Sequence, residues 1–133
     1  MLARDIMSTS LVTVREDLTV PDAARLMVER QVSGLPVVDA EGALIGIVTE
    51  RDVLLRHETI RCVGDVMTRG VVTAEETADY MDLVEILLQH GIKRVPIVRD
   101  NRLIGIVSRT DLLRGLIEEE AQAAQAAGSD GSS

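Results

Sequence analysis

The chain has 133 residues, a length typical of one domain, and 46% of the residues are hydrophobic, enough for an ordinary core. The formal net charge of −8 argues against a nucleic-acid partner, because such binding requires positive charge to neutralise phosphates. No apolar run reaches membrane-spanning length, and Cys62 is the only cysteine, so we expect no membrane partner, no disulfide framework and a cytoplasmic location.

The first unit of the chain, residues 1–60, is predicted to have the element order β-α-β-β-α. The run Thr19-x-x-Asp22, with Pro21 in the first turn, is a capping pattern that begins a helix. Two β-branched runs follow, LPVVD and LIGIVT, and a tight turn joins them. This arrangement indicates a hairpin of buried strands, after which a second helix is expected to begin at Thr49.

The second unit, residues 61–117, repeats the first at an offset of about 60 residues. RDIMS (4–8) returns as GDVMT (64–68), and VSGLPVVD (32–39) returns as IKRVPIVR (92–99). One unit is too small to bury both faces of its sheet. We therefore predict an α/β (α+β) fold in which two pseudosymmetric β-α-β-β-α repeats pack sheet to sheet.

The last segment, residues 118–133, begins with three glutamates and continues through an Ala/Gln run to the end GSDGSS. The Ala/Gln run contains little that could be buried, so we expect it to extend the last helix as a fraying tail. GSDGSS is predicted to be disordered.

Each unit also carries a hydroxyl residue followed three positions later by an aspartate, in GIVTERD and in GIVSRTD. Spacing alone favours a capping box, in which the hydroxyl accepts a hydrogen bond from a backbone N–H at the start of a helix. A second interpretation is a ligand site. Both helices begin where a strand ends, an edge suited to phosphates, and a carboxylate there can accept both hydroxyl hydrogens of a ribose. The two are compatible, since one hydroxyl can cap a helix and face a ligand.

Taken in order and twice, the motifs DIM and DVM, GLPVVD and RVPIV, and GIVTERD and GIVSRTD resemble the tandem cystathionine-β-synthase (CBS) domain pair, or Bateman module. The resemblance covers residues 1 to about 117. It implies two pseudosymmetric clefts that bind AMP, ADP, ATP or S-adenosylmethionine as a regulatory ligand, and face-to-face dimerisation. It implies regulation rather than catalysis. With no other domain on the chain, we expect signalling in trans to a regulated protein.

The first cleft implied by this resemblance combines the hydroxyl–aspartate motif of the second repeat with segments of the first. Its residues are Ser10, Val12, Val32, Ser33, Gly34, Arg94, Ile106, Ser108 and Asp111. Ser108 and Asp111 are expected to hold phosphate and ribose, and Arg94 to reach the phosphates. The residues of the first repeat are expected around the adenine.

The second implied cleft uses the motif of the first repeat. Its residues are Ile47, Thr49, Arg51, Asp52, Val72, Ile92 and Lys93. The two clefts differ chemically, because Gly34 stands in the first repeat where Arg94 stands in the second. We therefore expect the cleft with Asp111 to bind phosphorylated nucleotides more tightly than the cleft with Asp52.

Neither an enzyme nor a metal protein is favoured by the sequence. His57 and His90 lie near helix ends and have no nucleophile or carboxylate at a repeated catalytic spacing. One cysteine and no histidine pair at ligand spacing also argue against a metal site.

The remaining alternative is an interaction module with empty clefts that dimerises and docks onto another protein. The basic residues Arg94 and Arg109 near the Asp111 motif favour a ligand over this alternative. A homodimer is expected in both cases, because the helices present apolar stripes that one pair of repeats cannot cover. The interface candidates are Val53, Leu54, Leu112, Leu113 and Leu116.

Overall fold

The computed structural model describes residues 1–55 and 57–131. In chain order the elements are α1 (Ala3–Ile6), α2 (Val20–Arg30), β1 (Gly34–Val38), β2 (Leu44–Thr49), α3 (Glu50–Leu54), α4 (Val63–Val66), β3 (Ala74–Glu75), α5 (Tyr80–Gln89), β4 (Arg94–Arg99), β5 (Arg102–Ser108) and α6 (Arg109–Gly131). One sheet pairs β1 with β2 antiparallel. The other has the order β3-β4-β5, with β3 parallel to β4 and β4 antiparallel to β5. The predicted α+β fold of two repeats is confirmed.

The helix starts and hairpins lie where the sequence predicts them. The Thr19 hydroxyl accepts a hydrogen bond from the Asp22 N–H at 3.3 Å, and α2 begins at Val20, directly after Thr19. The Asp79 carboxylate likewise accepts from the Met81 N–H at 3.4 Å at the start of α5. Tyr80 packs against the core, and its hydroxyl donates to the Leu112 carbonyl oxygen at 3.2 Å.

The short helices α1 and α4 are exchanged between the two repeats. Ala3 of α1 is fully buried in the core of the second repeat with Leu83, and its N–H donates to the Ala78 carbonyl oxygen at 2.8 Å. Val63 of α4 is fully buried in the core of the first repeat with Leu35. Each repeat therefore completes its core with a helix from the other half of the sequence, which ties the two halves into one folding unit.

A methionine after each exchanged helix packs over a glycine in the opposite sheet. Met7 lies against Gly105, where an added Cβ would be 2.8 Å from the Met7 Cγ atom. Met67 lies against Gly46, where an added Cβ would be 2.8 Å from the sulfur and 3.0 Å from the Thr68 carbonyl oxygen. These two strand positions leave no room for a side chain, which explains the repeated pattern LIG in LIGIV.

Apolar side chains remain exposed on the helices of both repeats. Among the interface candidates, Leu54 is 81% exposed, Leu113 59% and Leu116 46%. Leu112 is only 7% exposed and belongs to the core of the second repeat, so it offers little surface to a partner. Val53 is half-buried and packs against the core of the first repeat.

The last helix, α6, continues to Gly131 and so includes part of the GSDGSS segment that was predicted to be disordered. Ser132 and Ser133 lie outside the described residues. Within the part of the chain that the structure describes, no helix combines the length and the apolar character needed to cross a membrane.

Candidate functional site

Both hydroxyl–aspartate motifs form the capping box that their spacing predicts. Asp111 Oδ2 accepts from the Ser108 N–H at 2.8 Å and from the Ser108 hydroxyl at 2.9 Å, while the Asp111 N–H donates to that hydroxyl at 3.2 Å. In the first repeat, Asp52 Oδ2 accepts from the Thr49 N–H at 2.9 Å, and the Asp52 N–H donates to the Thr49 hydroxyl at 3.3 Å. The caps hold each carboxylate fixed at the junction of a strand and a helix.

A cavity of about 390 Å³ opens beside the Asp111 carboxylate. It is bounded by β5 and the start of α6 on one side, and by the N-terminal segment and the start of β1 on the other. The cleft residues predicted from sequence that line it are Ser10, Val12, Val32, Gly34, Arg94, Ile106, Ser108 and Asp111. Its volume is in the range of small-molecule sites.

Arg94 enters this cavity from the first position of β4. Arg94 pairs with Ser108 in the register of β4 and β5, so the arginine and the capping serine lie side by side at the same end of the sheet. The Arg94 Nη2 atom donates to the Ser33 hydroxyl at 3.1 Å, a contact that reaches across to the first repeat. Ser33, the remaining predicted residue of this cleft, is thereby brought next to the cavity.

The equivalent edge of the other sheet carries no arginine. Gly34 pairs with Thr49 in the register of β1 and β2. A Cβ atom added to Gly34 would meet the Val48 carbonyl oxygen at 3.4 Å, an ordinary contact distance. The missing side chain is therefore not imposed by a lack of room at the Cβ position.

The predicted second cleft is not assembled as one cavity. Ile47, Thr49 and Ile92 line a small space of about 170 Å³ between the two sheets. Lys93 instead lines a groove of about 660 Å³ beside α2 and α3. The other three predicted residues, Arg51, Asp52 and Val72, line neither space. Asp52 remains capped to Thr49, and the two spaces share Ser33 and Arg94, so these predicted residues lie around adjoining spaces rather than one cavity.

Two arginines of α6, Arg109 and Arg114, lie differently with respect to the Asp111 cavity, and only the first was considered in the sequence analysis. Arg109 was expected near the Asp111 motif, but its Nε atom donates to the Ile92 carbonyl oxygen at 3.2 Å and it lines a separate groove between α5 and α6. Arg114 lines the Asp111 cavity, and its Nη1 atom lies 3.6 Å from Asp111 Oδ1. The spacing of three residues on one helix is the signal that could have identified it.

The histidines and the possible metal ligands are the other candidates for a site within the described residues. His57 and His90 are both exposed. No group of three His, Cys, Asp or Glu side chains within residues 1–55 and 57–131 is arranged to hold a metal ion.

The model of the CBS domain matches this chain twice, at residues 3–57 and 63–118. The chain belongs to the CBS-domain family. Among curated relatives, inosine-5'-monophosphate dehydrogenase of Methanocaldococcus jannaschii is 41% identical to this CBS pair over 113 residues. The match covers 84% of this chain but 23% of that enzyme, so the chain spans less than a quarter of this relative's length.

Solved structures of CBS pairs share the fold over most of its length. A crystal structure of CBSX2 in complex with AMP has a TM-score of 0.84 and 31% identity, and the match covers 90% of this chain and 98% of that one. CBSX2 is a CBS-pair protein from Arabidopsis thaliana. The CBS domain pair of protein MJ0100, in complex with 5'-methylthioadenosine and S-adenosyl-L-methionine, has a TM-score of 0.79 and 29% identity, with coverage of 90% and 98%.

Proposed function

We propose that this CBS pair is a regulatory module that binds an adenosyl compound in the Asp111 cavity and passes the signal in trans to another protein. The observation that carries the proposal is the pairing of a fixed carboxylate, Asp111, with a guanidinium group, Arg94, around one cavity of about 390 Å³. The two similar CBS pairs crystallised with AMP, or with 5'-methylthioadenosine and S-adenosyl-L-methionine, support the ligand class. A cytoplasmic location would keep Cys62 reduced and give access to these compounds.

The proposed roles follow from the chemistry of the two groups. Asp111 uses Oδ2 for the helix cap, which leaves Oδ1 to accept hydrogen bonds from ribose hydroxyls. Arg94 offers a planar fork of donors that suits a phosphate, and its present partner is the neutral Ser33 hydroxyl, which a charged acceptor can replace. Val12, Val32 and Ile106 give the cavity an apolar wall for the adenine.

The cleft around Asp52 is proposed to be the weaker site. Its carboxylate is held by the same kind of cap, but the arginine of the other cleft has Gly34 as its counterpart. Lys93 faces a different groove from Thr49. The strand position beside Thr49 therefore has no guanidinium group of its own, although Arg94 also lines the space of about 170 Å³ there.

The proposal is tested by thermal unfolding with AMP, ADP, ATP, 5'-methylthioadenosine and S-adenosylmethionine, each at millimolar concentration, with GMP as the base-specificity control. A ligand present at 100 times its dissociation constant and bound only by the folded chain adds about 2.7 kcal/mol of stability. At least one adenosyl compound should raise the melting temperature by several degrees, and GMP should raise it less. An unchanged melting temperature with all five compounds would favour the alternative of an interaction module with empty clefts.

A homodimer is proposed on a separate observation. Val28 of α2 is 78% exposed, Leu54 of α3 81%, Leu88 of α5 68% and Leu113 of α6 59%. These four residues belong to corresponding helices of the two repeats, and the grooves between those helices are lined with apolar side chains. A second copy would cover this surface, and a stable interface of this kind buries more than about 1,000 Å².

A further inference from the structure

Arg114 occupies a position in the Asp111 cavity that differs from that of Arg94. It lies one helical turn after Asp111 on α6, and its Nη1 atom is 3.6 Å from Asp111 Oδ1. The Arg114 side chain is 75% exposed, whereas that of Asp111 is only 12% exposed. Arg114 therefore extends from the carboxylate toward the open mouth of the cavity.

Arg94, by contrast, is partly buried and is held by Ser33. The cavity thus has two guanidinium groups, one in its wall and one at its mouth, and the carboxylate of Asp111 lies beside the outer one. The guanidinium group of this ion pair is 75% exposed and lies 3.6 Å from the carboxylate, so solvent screens the contact and Arg114 can leave Asp111 at a cost on the order of 1 kcal/mol.

We propose that Arg114 makes the cavity selective for phosphate chain length, by binding the phosphates beyond the first in ADP or ATP. This inference rests on the proposed function, in which the ribose lies on Asp111 and the first phosphate on Arg94. Each further phosphate adds charge that is costly to remove from water, so the chain extends toward the solvent-exposed mouth. The guanidinium group at the mouth is Arg114, which offers two parallel donors to a phosphate.

The corresponding position of the first repeat supports an assignment to one cleft only. In the alignment of GIVTERD with GIVSRTD, Leu55 stands where Arg114 stands in the second repeat. Leu55 is 65% exposed and offers no donor to a phosphate. A preference for longer phosphate chains should therefore be a property of the Asp111 cavity.

The test is calorimetric titration of the full chain with adenosine, AMP, ADP and ATP, comparing the wild type with Arg114→Gln and Arg114→Lys. Because Arg114 is exposed, we expect Arg114→Gln to weaken the binding of ADP and ATP about threefold to fivefold at low salt. AMP and adenosine should change by less than about twofold on the same scale. Arg114→Lys retains the charge but loses the planar fork, so it should give an intermediate loss.

Arg109→Gln is the matched control, because it removes the same charge from the same helix but lies in the groove between α5 and α6. It should leave the ratio of ADP to AMP affinity unchanged. The loss in Arg114→Gln should also shrink in high salt, because an exposed contact is screened.

Two results would overturn the assignment of Arg114. Equal losses for AMP and ADP in Arg114→Gln would mean that the residue acts through Asp111 or through overall charge. Unchanged ADP and ATP affinities would mean that it does not contact the phosphates. If the wild type binds none of the four compounds but binds 5'-methylthioadenosine or S-adenosylmethionine, this inference is refuted and the proposed function stands. If it binds none of the adenosyl compounds, both are refuted.

Discussion

Replacing Arg94 by alanine should weaken AMP binding at the Asp111 cavity by a predictable amount. A hydrogen bond from a guanidinium group to a phosphate contributes about 1.5–3 kcal/mol. Arg94 must first release the Ser33 hydroxyl, to which it donates at 3.1 Å, and a neutral hydrogen bond of this kind offsets roughly 0.5–1 kcal/mol. The net loss of binding free energy should be about 1–2 kcal/mol, which corresponds to a dissociation constant about fivefold to thirtyfold larger.

The assay is isothermal titration calorimetry with AMP and with adenosine, using the wild type, Arg94→Ala and Ser33→Ala. Adenosine has no phosphate, so its affinity should change by less than about twofold in Arg94→Ala. Ser33→Ala removes only the resting partner of Arg94, so AMP affinity should stay the same or rise slightly. Circular dichroism of each variant checks that the fold is intact.

An unchanged AMP affinity in Arg94→Ala would refute the phosphate role of this residue. Equal losses for AMP and adenosine would also refute it, because the side chain would then be shaping the cavity rather than contacting a phosphate.

Three further predictions concern stability and assembly. Gly105→Ala should lower the free energy of unfolding, measured with urea, by about 1–3 kcal/mol, because the new Cβ meets Met7. Met7→Ala in the Gly105→Ala background should recover part of this stability. If the effects of the two substitutions simply add, the packing of Met7 on Gly105 is contradicted. A hydrogen bond from Arg99 lowers the pKa of the Glu76 carboxyl below its ordinary value. Glu76 therefore stabilises the folded chain at pH values above the ordinary carboxyl pKa, and this contribution is lost as the pH falls through the lowered pKa. The stability difference between wild type and Glu76→Gln should therefore shrink on acidification, and a pH-independent difference would contradict this. Leu113→Glu should convert the proposed dimer to monomer in light scattering, whereas a wild-type monomer at micromolar concentration would count against the dimer.

The sequence predicted the elements whose signals are local. The cap at Thr19 and the β-branched runs before and after each turn depend on neighbouring residues, and they identified α2 and both hairpins. The capping geometry of Ser108 and Asp111 was predictable for the same reason, since both partners lie within four residues. Repetition of these signals then gave the two-repeat fold.

Long-range placement was harder to predict. The repeated motifs RDIMS and GDVMT were visible, but nothing within them shows that α1 packs with Leu83 rather than with its own repeat. Closeness in sequence did not place Arg109 in the Asp111 cavity, for a geometric reason. Residues two positions apart on a helix point to different sides, so Arg109 faces away from Asp111. Arg114 comes three positions after Asp111 and shares the helix face of that carboxylate.

We propose that the cavity at Asp111 is the main adenosyl site of the chain. Asp111→Ala and Asp52→Ala form a matched pair, because each removes a carboxylate that caps a helix through the same backbone contact. Titration of both variants with AMP is the most direct test. We predict that Asp111→Ala abolishes the tighter binding event and that Asp52→Ala leaves it in place. Loss of that event in Asp52→Ala, with Asp111→Ala unaffected, would show that the main site lies at Asp52 instead.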